Sequence, residues 1–357
     1  MIRQVAKRLA SLFCDEKIDV ICVLGGPYVG KSWLVNSYIS KDDKIIVFDD
    51  INSYDDFLKL VKAQRISRVK YIIIGRLIEE KCRQLVDRNI NISYVNVYPI
   101  NFAEFKAIIP KNYNIDPVEL MKIYMFVGGL PEVVKVFLDT GDVEKVRFKQ
   151  LQLLDKLEGE MDRKEKALIK SVVAQDQSKG TGFFLSKMNR NARKREYEES
   201  LKNLLDMGVI EKQWRFAPVE NADVRKYRLY IYDMGLYLTV MGVDIHRFTN
   251  YYGNMDKTLL YKFYILDLRT YIDKGQEVIM YWSRHKGKAN IPILVQRKCE
   301  EELLFPVDIK QNVELLSKSM QAFVKEYTYA RPTNVKLPSM EEVEDGQKLY
   351  DRIRNVT

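Results

Sequence analysis

Histidine is almost missing from this 357-residue chain, which holds only His246 and His285, far apart in sequence. That scarcity argues against a histidine-based metal centre or a serine-histidine-acid triad. Cysteine is also scarce. Cys14, Cys22, Cys82 and Cys299 are scattered without metal-ligand spacing, two of them in or near strand-like runs, a pattern that fits a reducing cytoplasm. No apolar run is long enough to cross a membrane, and no membrane partner is expected. Even Ile2 to Phe13 is broken by Arg3, Lys7 and Arg8 and reads as an amphipathic helix, not a signal peptide or a span.

What is present is ordinary globular composition, 46% hydrophobic and 30% charged, in a chain long enough for two or three domains. Lys and Arg total 58 against 49 Asp and Glu, a net charge of +9, which hints at a polyanionic partner through non-specific attraction.

Residues 18–24, "IDVICVL", are continuously apolar and β-branched, as in a strand buried on both faces of a parallel sheet. "GGPYVGKSW" follows directly, and "WLVNSYI" after Ser32 is helical, so the glycine loop has the strand–loop–helix setting of a phosphate loop. The candidate nucleotide-binding residues are therefore Gly25, Gly26, Pro27, Tyr28, Val29, Gly30, Lys31, Ser32 and Trp33. Backbone N–H groups of residues 26–31 would cradle phosphate oxygens, Lys31 would reach the β- and γ-phosphates, and Ser32 would ligate magnesium. "KIIVFDD", ending at Asp49-Asp50, predicts a second buried strand with a carboxylate pair at its end: Asp49 for the metal, Asp50 as the base. "VKYIIIGR" (69–76) and "NISYVNVYP" (91–99) predict two more strands. Ligands of open α/β sheets collect at such strand ends, which makes Arg76 a candidate γ-phosphate sensor as well as a candidate solvated turn residue.

The ordered series "GGPYVGKS", "IIVFDDINSYDDFLK", "YIIIGR", "VYPINFAEF" and "YMFVGGLPEVV" resembles the archaeal-type AAA-related ATPases that carry a restriction-endonuclease-like C-terminal domain. "RKREYEESLKNLLDMGVIEK" and "YRLYIYDMGLYLTVMG" resemble that family's winged-helix segment and the junction that follows it. The resemblance implies ATP and Mg2+ as ligands, and a helical lid whose proline, here Pro131, approaches the adenine. The glycines and proline of "GGLPEVV" also read as the end of one helix and the start of the next. Three departures stand out. Lys31 and Asp49 are separated by one helix and a turn, so the sheet is short of a strand; Asp-Asp replaces the usual Asp-Glu; and Arg76 stands where a small polar residue is usual. A second register stays open, in which residues 44–50 are the missing strand and "YIIIGR" takes the acidic-strand position without a carboxylate.

Residues 160–217 read as a winged helix with Gly208 stopping its last helix. Lys187, Arg190, Arg193, Lys194 and Arg195 at the entry to that helix form a candidate DNA contact, although Glu196, Glu198 and Glu199 follow and a solvated helix face explains the run equally well. Residues 257–330 carry the order helix, three strands, helix. By the resemblance, Asp308-Ile309-Lys310 is half of a nuclease motif whose second acid falls at Ile291. One carboxylate holds a divalent metal poorly, so an inactive nuclease-like module is expected, with Ile291 beside Asp308 and Lys310 neutralising that aspartate.

The expected fold class is α/β: a shortened, AAA-like phosphate-loop parallel sheet at 1–108, a helical lid at 109–158, a winged helix at 159–235 and a degenerate nuclease-like α/β domain at 236–357. The expected function is a slow magnesium-dependent ATPase whose nucleotide state sets the domain arrangement. Its competitor is a nucleotide-gated binding module with negligible turnover, associated with DNA, another protein or a second copy of itself.

Overall fold

Strand β1 (Val20–Leu24) is buried at every position, and its side chains divide strictly by parity, as a strand covered on both faces requires. Val20, Cys22 and Leu24 enter one apolar cluster with Phe57, Val61, Ile73, Cys82 and Tyr94. Ile21 and Val23 enter the main core. The computed structural model describes residues 4–38, 45–63, 70–77, 79–85, 90–110, 115–175, 182–185, 188, 194–217, 226–244, 257–272, 276–284, 289–297, 303–339 and 342–355.

Strands β2 (Ile45–Ile51), β3 (Lys70–Gly75) and β4 (Ile92–Asn96) complete a parallel sheet of order β2-β3-β1-β4. On one face lie α3 (Tyr54–Ala63) and α4 (Glu79–Leu85), which supply Phe57, Val61 and Cys82; on the other lie α1 (Gln4–Cys14) and α2 (Lys31–Asn36), which supply Ala6, Leu9, Leu34 and Val35. The expected amphipathic N-terminal helix is thus α1. Strand β3 lies between β1 and β2, and the pairs Leu24↔Gly75 and Ile51↔Gly75 end the three strands in one row. The glycine loop and the acid pair leave the sheet at that row. The Asp49-Asp50 step is a bulge where the β2–β3 register shifts between Phe48 and Ile51.

Helices α5 (Phe102–Ile108), α6 (Pro117–Val127), α7 (Pro131–Thr140), α8 (Val143–Gly159) and α9 (Arg163–Ala174) follow. Local chemistry sets their starts. Asn101 with Glu104 and Asp162 with Glu165 form reciprocal capping boxes, while Asp116 and Asp142 accept the first N–H groups of α6 and α8. Gly128 ends α6 and Pro131 starts α7, the helix break read from the sequence. Helix α10 (Lys194–Asp206) stops at left-handed Gly208 (φ 69°), with Val209 N–H donating to the Leu204 carbonyl at 3.1 Å and Gly208 N–H to Leu205 at 3.0 Å. An antiparallel pair, β5 (Ile210–Trp214) and β6 (Tyr227–Ile231), comes next. Of the basic cluster, Lys187, Arg190 and Arg193 lie outside the described residues; Lys194 opens α10, and Arg195 is exposed.

Helices α11 (Met234–Val240) and α12 (Lys257–Leu268) lead into β7 (Glu277–Ser283), β8 (Asn290–Arg297) and β9 (Leu303–Lys310), then α13 (Lys318–Glu326), β10 (Thr333–Lys336) and α14 (Gly346–Asn355). The second sheet is mixed: an antiparallel β7-β8-β9 meander with β10 parallel to β9. Helix α12 packs on one face through Leu260, Phe263 and Tyr264, and α13 on the other through Met320 and Phe323. The expected sheet flanked by helices is present, but Lys310 does not pair with Asp308 as expected. Ile291 pairs with Trp282 and packs among Trp282, Met320 and Phe323. Asp308 instead accepts from the Tyr261 hydroxyl at 2.7 Å, and Lys310 donates to the Leu315 carbonyl rather than neutralising Asp308. A strand's alternation fixes which residues are buried, but not which neighbour each one meets.

His246, His285 and Cys299 lie outside the described residues. Among the described helices none is long and apolar enough to cross a membrane.

Candidate functional site

The loop from Gly25 to Gly30 joins buried β1 to α2, and its backbone alternates in hand over its last three residues. Tyr28 (φ 59°) and Gly30 (φ 84°) are left-handed while Val29 between them is not. Alternating hand turns successive N–H groups into one concavity, the geometry that receives an anion. Tyr28 holds its left-handed conformation without glycine's freedom, so the surrounding packing must enforce it. That packing comes from both sides. A Cβ at Gly30 would lie 3.1 Å from the Pro131 ring, so the start of α7 rests directly on the loop. A Cβ at Gly26 would lie 2.8 Å from the Gly208 carbonyl oxygen and 3.1 Å from the Tyr232 ring, whose hydroxyl donates to the Pro27 carbonyl at 2.9 Å.

Lys31 opens α2 and folds back over the loop, its ammonium donating to the carbonyls of Gly25 (3.0 Å) and Gly26 (2.7 Å). Burial, reinforced by the Arg76 guanidinium, pulls its pKa down to about 8 against the opposing pull of Asp49 and Asp50. Those four groups therefore share one electrostatic site. Ser32 is half-buried beside Lys31, and Trp33 is 55% exposed on the outside of α2.

Asp49 and Asp50 are exposed in the β2 bulge. The Asp50 backbone takes a left-handed φ of 59°, its N–H donates to Asp49 Oδ1 at 2.7 Å, and its own carboxylate accepts from Asn52 Nδ2 at 2.7 Å. Asn52 also accepts the Arg76 N–H at 3.1 Å, which ties the β2 and β3 ends together. The Arg76 guanidinium grips Glu160 with both terminal nitrogens, Nη1 to Oε2 and Nη2 to Oε1 at 3.3 Å. Burial opposes the arginine's charge, yet the Glu160 carboxylate, with Asp50 behind it, holds its pKa above the ordinary value. Tyr28 reports the same surroundings: burial first, then the Glu160 carboxylate, pushes its phenol upward.

Residues 118–247 match a family model described as Domain of unknown function (DUF8612). That block runs from inside α6 to beyond α11; it includes Pro131, Glu160, Gly208 and Tyr232 and excludes the glycine loop and the acid pair. No curated protein matches the chain. Among solved structures, a Walker-type ATPase of Pyrococcus abyssi is similar at a TM-score of 0.47 and 13% sequence identity, over 67% of this chain and 95% of that one. At that level of likeness the chemistry of the site stands on its own geometry.

The nucleotide-site residues singled out from the sequence lie at one end of the parallel sheet, with Pro131 against the loop and Trp33 turned outward. Sequence reasoning missed Glu160, Tyr232 and Gly208 as parts of the site. Gly208 was visible only as a helix stop, and Tyr232 reaches Pro27 across 205 positions, a distance over which spacing carries no signal. Nothing marked Glu160 among 49 acidic residues.

Proposed function

We propose that this protein binds ATP with magnesium at Gly25–Ser32 and turns it over slowly, with Pro131 near the base. The observation that carries this is the loop of alternating hand closed by the Lys31 ammonium, set between a buried parallel strand and a helix. Lys31 now satisfies itself on two loop carbonyls, and a phosphate group in the concavity would offer a stronger, charge-assisted partner. The donor chemistry fits magnesium: the Ser32 hydroxyl and the Asp49 carboxylate are hard oxygen ligands, and this ion ordinarily takes only one or two carboxylates beside phosphate and water. When bound, the ion would neutralise charge on the phosphates. Asp50, at the end of the same strand, is the base that would orient water, and Arg76 would meet the terminal phosphoryl group. This assignment uses the register that puts the acidic strand at β2, because it brings both carboxylates to the row of strand ends that holds the loop.

A second reading is a nucleotide-gated module with negligible turnover. It is favoured by the engagement of Asp50 with Asn52 and of Arg76 with Glu160, which occupies both groups a hydrolase needs. Two measurements test them. Calorimetric titration with Mg-ATP should show binding that Lys31→Ala abolishes, and unchanged affinity in that variant sinks the assignment. Steady-state phosphate release should fall clearly in Asp50→Asn for an enzyme. Equal rates near background identify the switch.

A further inference from the structure

The ion pair between Arg76 and Glu160 joins parts of the chain that local structure does not connect. Arg76 follows β3, anchored by its backbone N–H to Asn52 at the row of strand ends. Glu160 lies in the short joint between α8, which ends at Gly159, and Asp162, which caps α9. The arginine side chain is 18% exposed and the glutamate 42%, so the guanidinium belongs to the site and the carboxylate reaches in from outside. The grip is two-pronged, the geometry in which an arginine fork accepts a carboxylate or a phosphoryl group interchangeably. Asn52 accepts the Arg76 N–H at 3.1 Å and donates to the Asp50 carboxylate at 2.7 Å, so the fork leaves β3 at the row of strand ends from which the phosphate loop and the acid pair also leave. Among the described residues, Glu160 is the acid that pairs with it.

We propose that Glu160 sets the preference of the site for tri- over diphosphate: its carboxylate holds Arg76 until a terminal phosphoryl group displaces it, and that exchange releases the α8–α9 joint. This proposal rests on nucleotide binding at Gly25–Ser32. A diphosphate lacks the third phosphoryl group and leaves the pair intact. A triphosphate brings more negative charge and more acceptor oxygens than one carboxylate, so it wins the fork, but it must first break the pair. The cost of breaking it is charged to the triphosphate alone, and Glu160 thereby tunes discrimination without touching the nucleotide.

The test is calorimetric titration of the full chain with Mg-ADP and with the non-hydrolysable β,γ-imido analogue of ATP. Glu160→Gln should raise affinity for the triphosphate analogue about fivefold, the worth of a partly exposed pair, and leave ADP affinity within about twofold. Glu160→Asp, which keeps the charge and shortens the reach, should fall between. Arg76→Gln should weaken the triphosphate analogue only, and adding Glu160→Gln to it should gain nothing. A gain shared equally by both nucleotides, an unchanged ratio, or a gain that survives in the Arg76→Gln background overturns the role of Glu160 while nucleotide binding stands. Absence of binding by the wild type, with Lys31→Ala indistinguishable from it, overturns both. Thermal melting of each variant, expected to match the wild type closely because a partly exposed pair adds little to the fold, separates these outcomes from misfolding.

Discussion

Gly26 shows what one residue carries in this site. Its α-hydrogen faces the Gly208 carbonyl and the Tyr232 ring, and a Cβ there would stand 2.8 Å from that oxygen, closer than real side-chain carbons come. The nearer obstacle is backbone, which cannot yield by a rotamer change, and the Tyr232 ring beside it is tethered by its hydrogen bond to Pro27. Gly26→Ala should therefore displace the loop from its partner, lowering nucleotide affinity more than tenfold with a measurable loss of thermal stability. Tyr232→Phe is the control: it keeps the ring and removes only the hydrogen bond to Pro27, worth about 1 kcal/mol in urea unfolding. Affinity retained in Gly26→Ala would show that the loop does not need this contact. The glycine loop, Lys31 and the acid pair were legible from residue type and spacing because their neighbours in sequence are also their neighbours in space. Tyr232 and Glu160 were not, since each joins the site through a tertiary contact that leaves no local pattern.

Among elements, α12 ties together helices that are distant in sequence. Its Asp267 is buried and accepts the Phe102 N–H at the start of α5 and the Gly346 N–H at the start of α14, both at 2.7 Å, so one carboxylate caps two helices. Burial raises its pKa to about 7 against the pull of those two N–H groups, and the nearby carboxylates of Asp345 and Glu104 push the same way. The sign follows from linkage. An aspartate whose native pKa is raised from an unfolded value of about 4 contributes stability fully below about pH 4, and that contribution is lost as pH rises through about 7. The unfolding free energy of the wild type relative to Asp267→Asn should therefore decline between pH 4 and 7 and level off above. A flat difference across that window would place the native pKa elsewhere. Element types were legible because β1, β3 and β8 are apolar runs and α9 and α10 have helical periodicity. Pairing was not: the position of Ile291 against Trp282 depends on a register that alternation leaves open.

At the scale of the molecule the two sheets share one apolar core, which runs from Ala6 in α1 to Ile353 in α14. Polar contacts follow the same route. Arg269, just after α12, donates to the Tyr232 carbonyl and pairs with Glu211 at 2.7 Å, while the Tyr232 hydroxyl reaches the glycine loop. Asp233, next in sequence, caps α11 and accepts the Gly129 N–H beside Pro131 at 2.7 Å. The C-terminal part thus braces the loop through β6 and α11, a mechanical connection that needs no chemistry of its own. The residues read from the sequence as half of a nuclease motif are engaged in ways that suit bracing: Asp308 holds the Tyr261 hydroxyl and its neighbour's N–H, Lys310 holds a carbonyl, and Ile291 fills the core. A lone carboxylate so occupied is a poor ligand for a divalent ion, which takes several oxygen donors. Incubation of the wild type with DNA or RNA and magnesium or manganese should accordingly give no cleavage. Asp308→Ala should leave ATP binding unchanged, because that carboxylate contacts α12 and not the strand ends around Lys31. Metal-dependent cleavage lost in Asp308→Ala or Lys310→Ala would reverse this assignment and would require a second acid, brought from another part of the chain, to complete the metal site.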